Sequence, residues 1–306
     1  MNAPGKQRRD RVRIKAPAKV NLHLEVLRQR HDGYHEIETI LQAVDLCDTL
    51  EVKLLERREG SAPEVELLVR PHGSAPEDET NLAVMAARLF CREQRVSGRI
   101  AIEIDKEIPA GAGLGGGSSD AMAVLVACDR LFATGLDRPA LEAMGARLGS
   151  DVPFFAAGGT QLGRGRGTDL TPLNTPRRAR FVILKPAFEV LTENAYGALK
   201  MGLTVRAPAA NLQVIKPLLA RFPARPWFGF NRLEDVILPT HPELSRILLR
   251  LRDRAPVAML SGSGSAVFGV VDRVEQADRL VRDFIPSVQF ARSTGSLTHG
   301  VQLLEG

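Results

Sequence analysis

The chain has 306 residues, of which 44% are apolar and 25% charged, and its formal charge is +5. This is globular composition with enough length for two modest domains, and it excludes fibrous, collagen-like and wholly disordered chains. The charge is local: residues 1–15 carry Lys6, Arg8, Arg9, Arg11, Arg13 and Lys15 against Asp10, and the other 291 residues balance 35 basic against 35 acidic groups.

Residues 1–15 therefore read as a flexible basic arm. It lacks the apolar stretch of a secretory signal and is expected to be frayed. From Val20 to Leu27, apolar residues alternate with Asn21, His23 and Glu25, the period of a half-buried strand. Asp32-Gly33 marks a turn. Strands are predicted over 48–55, 64–69 and 99–104, and a helix over 81–93 capped by Thr80 or Asn81. A glycine-rich segment, 109–120, leads into an apolar helix reaching about Phe132, and a second helix runs from Pro139 to near Gly149.

Gly158-Gly159 and the stretch from Gly163 to Pro176 read as surface loops, and a domain boundary is placed there. The expected division is 1–15 for the arm, 16–170 for the first domain and 171–306 for the second. The second half shows a strand at 181–184, helices near 192–201, 208–221 and 242–253, and a strand–loop–strand over 257–271. A helix over 274–285 and a strand over 287–292 follow. Strands and helices mix without strict βαβ alternation, so the class is α+β.

Cys47, Cys91 and Cys128 are scattered and odd in number, which argues against a disulfide framework or zinc module and for a reducing, cytoplasmic setting. The longest charge-free run, Ala255 to Val271, is too short and too polar to span a bilayer. His31 and His35 flank an Asp-Gly turn, which spoils helical zinc-ligand geometry, and no metal ligand set is assigned.

Five of the seven residues 111–117 are glycine. Between a strand and a helix start, such a loop aims backbone N–H groups and a helix dipole at one point, which makes an anion site. The string also satisfies G-x-G-x-x-G at Gly111, Gly113 and Gly116. A dinucleotide fold fails, because one helix here leads to another. A P-loop would need Lys-Ser/Thr after the last glycine, a protein-kinase loop its HRD and DFG partners, and a hydrolase elbow G-x-S-x-G; all are absent.

The segment from Pro109 to Asp120 resembles the phosphate-binding loop of the GHMP kinases, named for galactokinase, homoserine kinase, mevalonate kinase and phosphomevalonate kinase. Lys15-Ala-Pro-Ala-Lys-Val-Asn-Leu22 resembles that family's N-terminal motif, and Met259-Leu-Ser-Gly-Ser-Gly-Ser-Ala266 its C-terminal glycine motif. Three ordered motifs span nearly the whole chain. The resemblance implies a two-domain GHMP kinase fold, with a ribosomal-protein-like N-terminal ATP domain, a ferredoxin-like C-terminal domain and the site in the cleft between them. Arg30-His-Asp-Gly-Tyr-His35 with Glu38-Thr39, Leu148-Gly-Ser-Asp-Val-Pro-Phe154 and Asn231-Arg-Leu-Glu-Asp235 resemble the branch of isoprenoid-precursor biosynthesis whose substrate alcohol carries cytidine diphosphate.

The resemblance implies ATP and magnesium as cofactors, with Ser119 a candidate magnesium ligand. Asp151 would be the catalytic base, and Lys19 would contact both Asp151 and the reacting oxygen, steadying developing charge. The ATP cradle would comprise Pro109, Ala110, Gly111, Ala112, Gly113, Leu114, Gly115, Gly116, Gly117, Ser118 and Ser119, with Lys106 approaching the nucleotide base. Asn21 would position substrate, Tyr34 would stack on cytosine and His35 would hydrogen-bond to it. Thr192 and Tyr196 would complete the slot, and Gly262 and Ser263 would pack under the phosphate loop or close on substrate. On the residues alone, Lys19 reads as a solvated strand-edge charge, Lys106 as a solvated loop lysine and Asp151 as an Asp in a turn or helix cap.

Two other readings stand beside this one. A different GHMP kinase acting on a nucleotide-free alcohol, mevalonate- or homoserine-like, would have no use for Tyr34-His35. A nucleic-acid module using the arm with Arg164 and Arg166 conflicts with a neutral body and 5% aromatic content. No nucleic acid and no membrane are expected as partners, and the chain is expected to be a monomer or weak homodimer.

Overall fold

The computed structural model describes residues 10–176, 179–199, 212–223, 227 and 229–304. Its strands form two sheets. In chain order the first half comprises β1 (Arg11–Gln29), β2 (His35–Arg58), β3 (Glu64–Arg70), α1 (Leu82–Gln94), β4 (Ser97–Asp105), α2 (Gly116–Phe132), α3 (Arg138–Gly145), α4 (Phe154–Ala157), β5 (Thr160–Arg164) and β6 (Asp169–Leu173). The second half comprises β7 (Arg180–Lys185), α5 (Thr192–Gly197), α6 (Leu212–Ala220), α7 (Glu234–Ile237), α8 (Pro242–Arg252), β8 (Val257–Leu260), β9 (Val267–Val271), α9 (Val274–Phe284), β10 (Phe290–Gly295) and β11 (Gln302–Leu304). The expected α+β class is borne out.

The first sheet runs β11-β1-β2-β4-β3, with β5 on another stretch of β2 and β6 outside β5. Among the described strands of this sheet, β3 against β4 is parallel and the other pairs are antiparallel. One face, carrying Leu50, Val52, Leu54, Ile100, Ile102 and Ile104, packs under Ala86, Leu89 and Phe90 of α1 and the apolar residues of α2. Asn81 accepts from the Ala83 amide at 2.9 Å and caps α1, and Asp137 accepts from the Ala140 amide at 2.9 Å and caps α3. The second sheet, β10-β7-β9-β8, is wholly antiparallel and buries its Val182, Leu184, Val267 and Val271 against α8 and α9.

β1 ties the halves together. Its Ile14 and Ala16 join the core under α1 and α2, Ala18, Val20 and Leu22 a second cluster, and Leu24 and Val26 a third. The strand alternates buried and exposed residues only as far as Lys15; from Ala16 to Val26 both faces are covered. This corrects the half-buried reading: Lys19, Asn21, His23 and Glu25, the polar face, are all at most 4% exposed.

Three other expectations change. Residues 11–15 are not arm but paired strand, with Arg11 and Arg13 facing Glu51; residues 1–9 lie outside the described part. The stretch around Gly163, read as loop, is the hairpin β5–β6. Its turn glycines hide the strand signal, and Thr160, Gln161 and Leu162 are buried by pairing with β2. The expected boundary at 170/171 falls inside β6, and β11 returns from the C-terminal end to pair with β1. The helices expected at 192–201 and 208–221 are described only over α5 and α6.

Candidate active site

The glycine loop joins β4 to α2. The α2 N-cap is Gly115, at φ +73°, and no side chain caps the helix. The first-turn amides therefore face no competing side-chain acceptor, which is what an anion site at a helix start requires. Gly113, at φ +70°, lies against the C-terminal glycine motif: a Cβ there would strike the Ser261 carbonyl oxygen and lie 3.0 Å from the Gly264 nitrogen. The two loops are stitched together. Ser261 Oγ donates to the Gly113 carbonyl at 3.0 Å, Ser265 N to Gly111 O at 3.2 Å, and Ala266 N to Ala112 O at 3.1 Å. Gly262 lies against the phosphate loop, where a Cβ would be 3.3 Å from the Gly113 carbonyl oxygen.

Lys19 sits where these loops meet. Its amide donates to the Leu114 carbonyl at 2.9 Å, and its ammonium donates to Asn21 Oδ1 at 2.8 Å and lies 3.4 Å from Asp151 Oδ2. A Cβ on Gly115 would lie 3.1 Å from Lys19 Cγ, and one on Gly262 would lie 3.2 Å from its Nζ. Asn21 is fixed in turn, donating to Thr39 Oγ1, which donates to the His23 carbonyl. The ammonium is thus buried and aimed, while the Asp151 side chain is 41% exposed and open to a ligand. Asp151 precedes the short helix α4, and Phe154 and Phe155 anchor that turn in the core.

Lys106 is corrected. It is neither a solvated lysine nor free to reach a nucleotide base, because its ammonium is buried between Asp48 (2.5 Å) and Asp120 (2.7 Å). Asp48 also accepts from the amides of Glu107 and Ile108 at 2.7 and 2.8 Å. This buried trio holds the start of the loop and the first turn of α2. The two carboxylates push the Lys106 pKa up despite burial, and burial pushes that of Asp120 up.

On the other side of Asp151, the His35 and Tyr196 rings lie 5.0 Å apart at 31°. Burial, and then the charge of Asp151, raise the Tyr196 phenol well above its ordinary value, which places Tyr196 within electrostatic reach of Asp151. Burial lowers the pKa of His35, favouring a neutral ring with one donor and one acceptor. Tyr34 is half exposed and carries the Arg166 guanidinium 4.2 Å from its ring centre. Thr192 begins α5; its side chain is outside the described residues.

Several residues of the site escaped the sequence reading. Asn231 donates to the Leu260 and Gly262 carbonyls at 3.0 and 2.7 Å and accepts from the Leu233 amide, bracing the C-terminal glycine loop. Arg232 grips buried Glu25 with two hydrogen bonds. Arg166 lies over the Tyr34 ring, and the Glu189 carboxylate lies beside Gly111. Asn231 and Arg232 lie in a recognisable string, but their partners sit about two hundred positions away or across a loop, which spacing does not reveal.

The GHMP kinases N-terminal domain matches residues 81–159. A 4-diphosphocytidyl-2-C-methyl-D-erythritol kinase of Bacillus anthracis is 37% identical over 291 residues, covering 92% of this chain and 96% of the relative. The enzyme of the same name from Shouchella clausii is also 37% identical, over 299 residues. The chain belongs to this kinase family. A crystal structure of 4-(cytidine 5'-diphospho)-2C-methyl-D-erythritol kinase aligns with TM-score 0.76 at 34% identity, covering 92% of this chain and 99% of that one. A homoserine kinase from Cytophaga hutchinsonii aligns with TM-score 0.74 at 19% identity and covers 99% of this chain and all of its own, which shows the shared fold. No helix among the described residues is long and apolar enough to cross a membrane.

Proposed function

We propose that the enzyme transfers the γ-phosphoryl group of ATP to the 2-hydroxyl of 4-diphosphocytidyl-2-C-methyl-D-erythritol. The observation that carries this reading is the convergence of Lys19, Asn21, Asp151 and the two interlocked glycine loops, with an aromatic slot beside Asp151. Phosphoryl transfer is achieved mainly by positioning and electrostatics. The loop 109–119 and the uncapped α2 N-terminus receive the phosphates. Asp151 accepts the proton of the attacking hydroxyl. Lys19, held by Asn21, places a fixed positive charge beside the reacting oxygen, where a low-dielectric surrounding strengthens it.

The slot supports a pyrimidine base. Neutral His35 offers one donor and one acceptor to cytosine, and Tyr34, with Arg166 on it, offers a stacking face. Tyr196, its ring 5.0 Å from that of His35, forms the other wall of the slot.

Magnesium ions prefer oxygen ligands and a nucleotide's own phosphates. The described residues contain no cluster of three His, Cys, Asp or Glu side chains that would cage a metal. Ser119 Oγ is buried at the start of α2 with no hydrogen-bond partner among the described residues, and it fits as an oxygen ligand. Bound magnesium would offset the charge on the phosphates.

The test is an ADP-release assay across a panel of alcohols. The cytidyl substrate should turn over fastest, and removing its cytidine should reduce kcat/KM by orders of magnitude. Faster turnover of mevalonate, homoserine or galactose would sink the substrate assignment.

A further inference from the structure

The segment between β10 and β11 runs past the turn that carries Asp151. The Leu297 amide donates to the Ala43 carbonyl of β2 at 2.8 Å, and the Val301 amide to the Phe155 carbonyl of α4 at 2.9 Å. Between these two anchors Gly300 lies so close to α4 that a Cβ there would strike the Phe155 carbonyl oxygen. Gly158, at φ +61°, follows α4, and a Cβ on it would strike the backbone of His299 and Gly300. These are contacts of backbone on backbone, which no side-chain rotation relieves. β11 then pairs with Arg13, Ile14 and Lys15 of β1, the strand that carries Lys19.

Held in this way, the Phe155 side chain reaches back into the site. The ring is fully buried, and its tip lies against Gly115, the N-cap of α2. A Cβ on Gly115 would be 2.8 Å from Phe155 Cζ, 3.2 Å from Phe155 Cε2 and 3.1 Å from Lys19 Cγ. The ring and the lysine stem therefore close on the space that a side chain at Gly115 would fill. Gly115 has no side chain to fix it, and no side chain caps α2. Its place is set by what packs against it, and interiors this close-packed pass small displacements on. The helix start that faces the phosphates and the stem of the lysine beside the reacting oxygen thus meet at one aromatic ring, four residues along the chain from Asp151.

We infer that Phe155 is a positioning residue for the transfer step: its ring sets the α2 N-cap against the Lys19 stem, and the segment 297–301 seats the ring by holding the Phe155 backbone. The inference rests on the kinase reading, since it takes the loop as a phosphate cradle and Lys19 as the cation beside the reacting oxygen. It also gives the return of the chain to the first sheet through β11 a function, because that return passes over the turn that carries Asp151.

The test is steady-state ADP release by the full-length enzyme and three variants, each assayed well below its melting temperature, with calorimetric titration of magnesium–ATP beside it. Phe155→Leu keeps an apolar side chain but withdraws the ring tip from Gly115. Gly300→Ala leaves every residue of the site in place and disturbs only the seat of the ring. Phe90→Leu, a fully buried phenylalanine of α1 in the same core, is the control for lost packing. Phe155→Leu should lower kcat at least tenfold, on the order of the loss from a sub-ångström misplacement. It should weaken ATP binding about threefold, the scale of a helix-terminus contribution. The KM for the cytidyl substrate should stay within about twofold, because the base slot is untouched. Gly300→Ala should show the same split, and the two losses together should be less than additive. Phe90→Leu should lower Tm and leave kcat at the parental value. Parental turnover in Phe155→Leu would overturn the inference, and this variant decides alone if Gly300→Ala does not fold. Parental turnover in a folded Gly300→Ala would overturn it as well, as would an equal fall in kcat for Phe90→Leu. An unmodified enzyme that binds no ATP and releases no ADP would instead bring down the kinase reading and this inference with it.

Discussion

Gly113→Ala isolates the contact between the two glycine loops. Gly113 has φ +70°, where a residue with a Cβ costs about 1–2 kcal/mol. The added methyl would overlap the Ser261 carbonyl and crowd the Gly264 backbone, and no side-chain rotation relieves a clash with backbone. Separating the loops strains three hydrogen bonds: Ser261 Oγ to Gly113 O, Ser265 N to Gly111 O and Ala266 N to Ala112 O. At about 1 kcal/mol each, the total loss is about 4 kcal/mol. That corresponds to a drop in Tm of about 8–16 °C for a domain of this size. The same shift moves Leu114, whose carbonyl receives the Lys19 amide, so catalytic geometry suffers too. A displacement near 1 Å costs about a hundredfold in rate. Thermal unfolding and steady-state ADP release measure both effects. Gly117→Ala is the control for stability: it lies within α2, its Cβ would meet only Leu82 Cδ1 at 3.8 Å, and Tm should hold or rise by about 2 °C. If Gly113→Ala melts within about 2 °C of the parent and turns over within threefold, the interlock does not organise the site.

Other outcomes follow from the same geometry. Asn231→Ala leaves the Leu260 and Gly262 carbonyls without their side-chain donor, and should cost about 2–4 kcal/mol in chemical denaturation and lower kcat. Arg166→Ala removes the cation over Tyr34, and should raise the KM for the cytidyl substrate about tenfold while leaving the KM for ATP unchanged. Burial holds the His23 pKa below 6.5, so its contribution to stability is fully present above pH 6.5 and lost as pH falls through the lower folded value. Denaturation curves should therefore weaken in mild acid, and His23→Gln should flatten that dependence.

The parts of the fold with strong periodicity were legible. The apolar faces of α1, α2 and β4 announce the first core, and the glycine loop stands out because five of seven positions lack a side chain. Lys19 and Asp151 were found only through motif resemblance, since a lysine on an alternating strand ordinarily points to water. What spacing does not convey is that β1 is covered on both faces, so that its polar residues turn inward. The β5–β6 hairpin was missed because Gly163, Gly165 and Gly167 mimic a loop, although Leu162 is buried between strands. Lys106 was misjudged because its partners, Asp48 and Asp120, come from β2 and α2, brought together only by folding. Local chemistry predicts which groups are present; which of them are already occupied depends on long-range pairing.

The central claim is that Asp151, set by Lys19 against the interlocked loops, takes the proton of the attacking hydroxyl. Turnover and ATP affinity of Asp151→Asn, measured on the same folded preparation, test it most directly. The account predicts a fall in kcat of about a thousandfold with the ATP Kd within about twofold of the parent; turnover close to the parent's would contradict it.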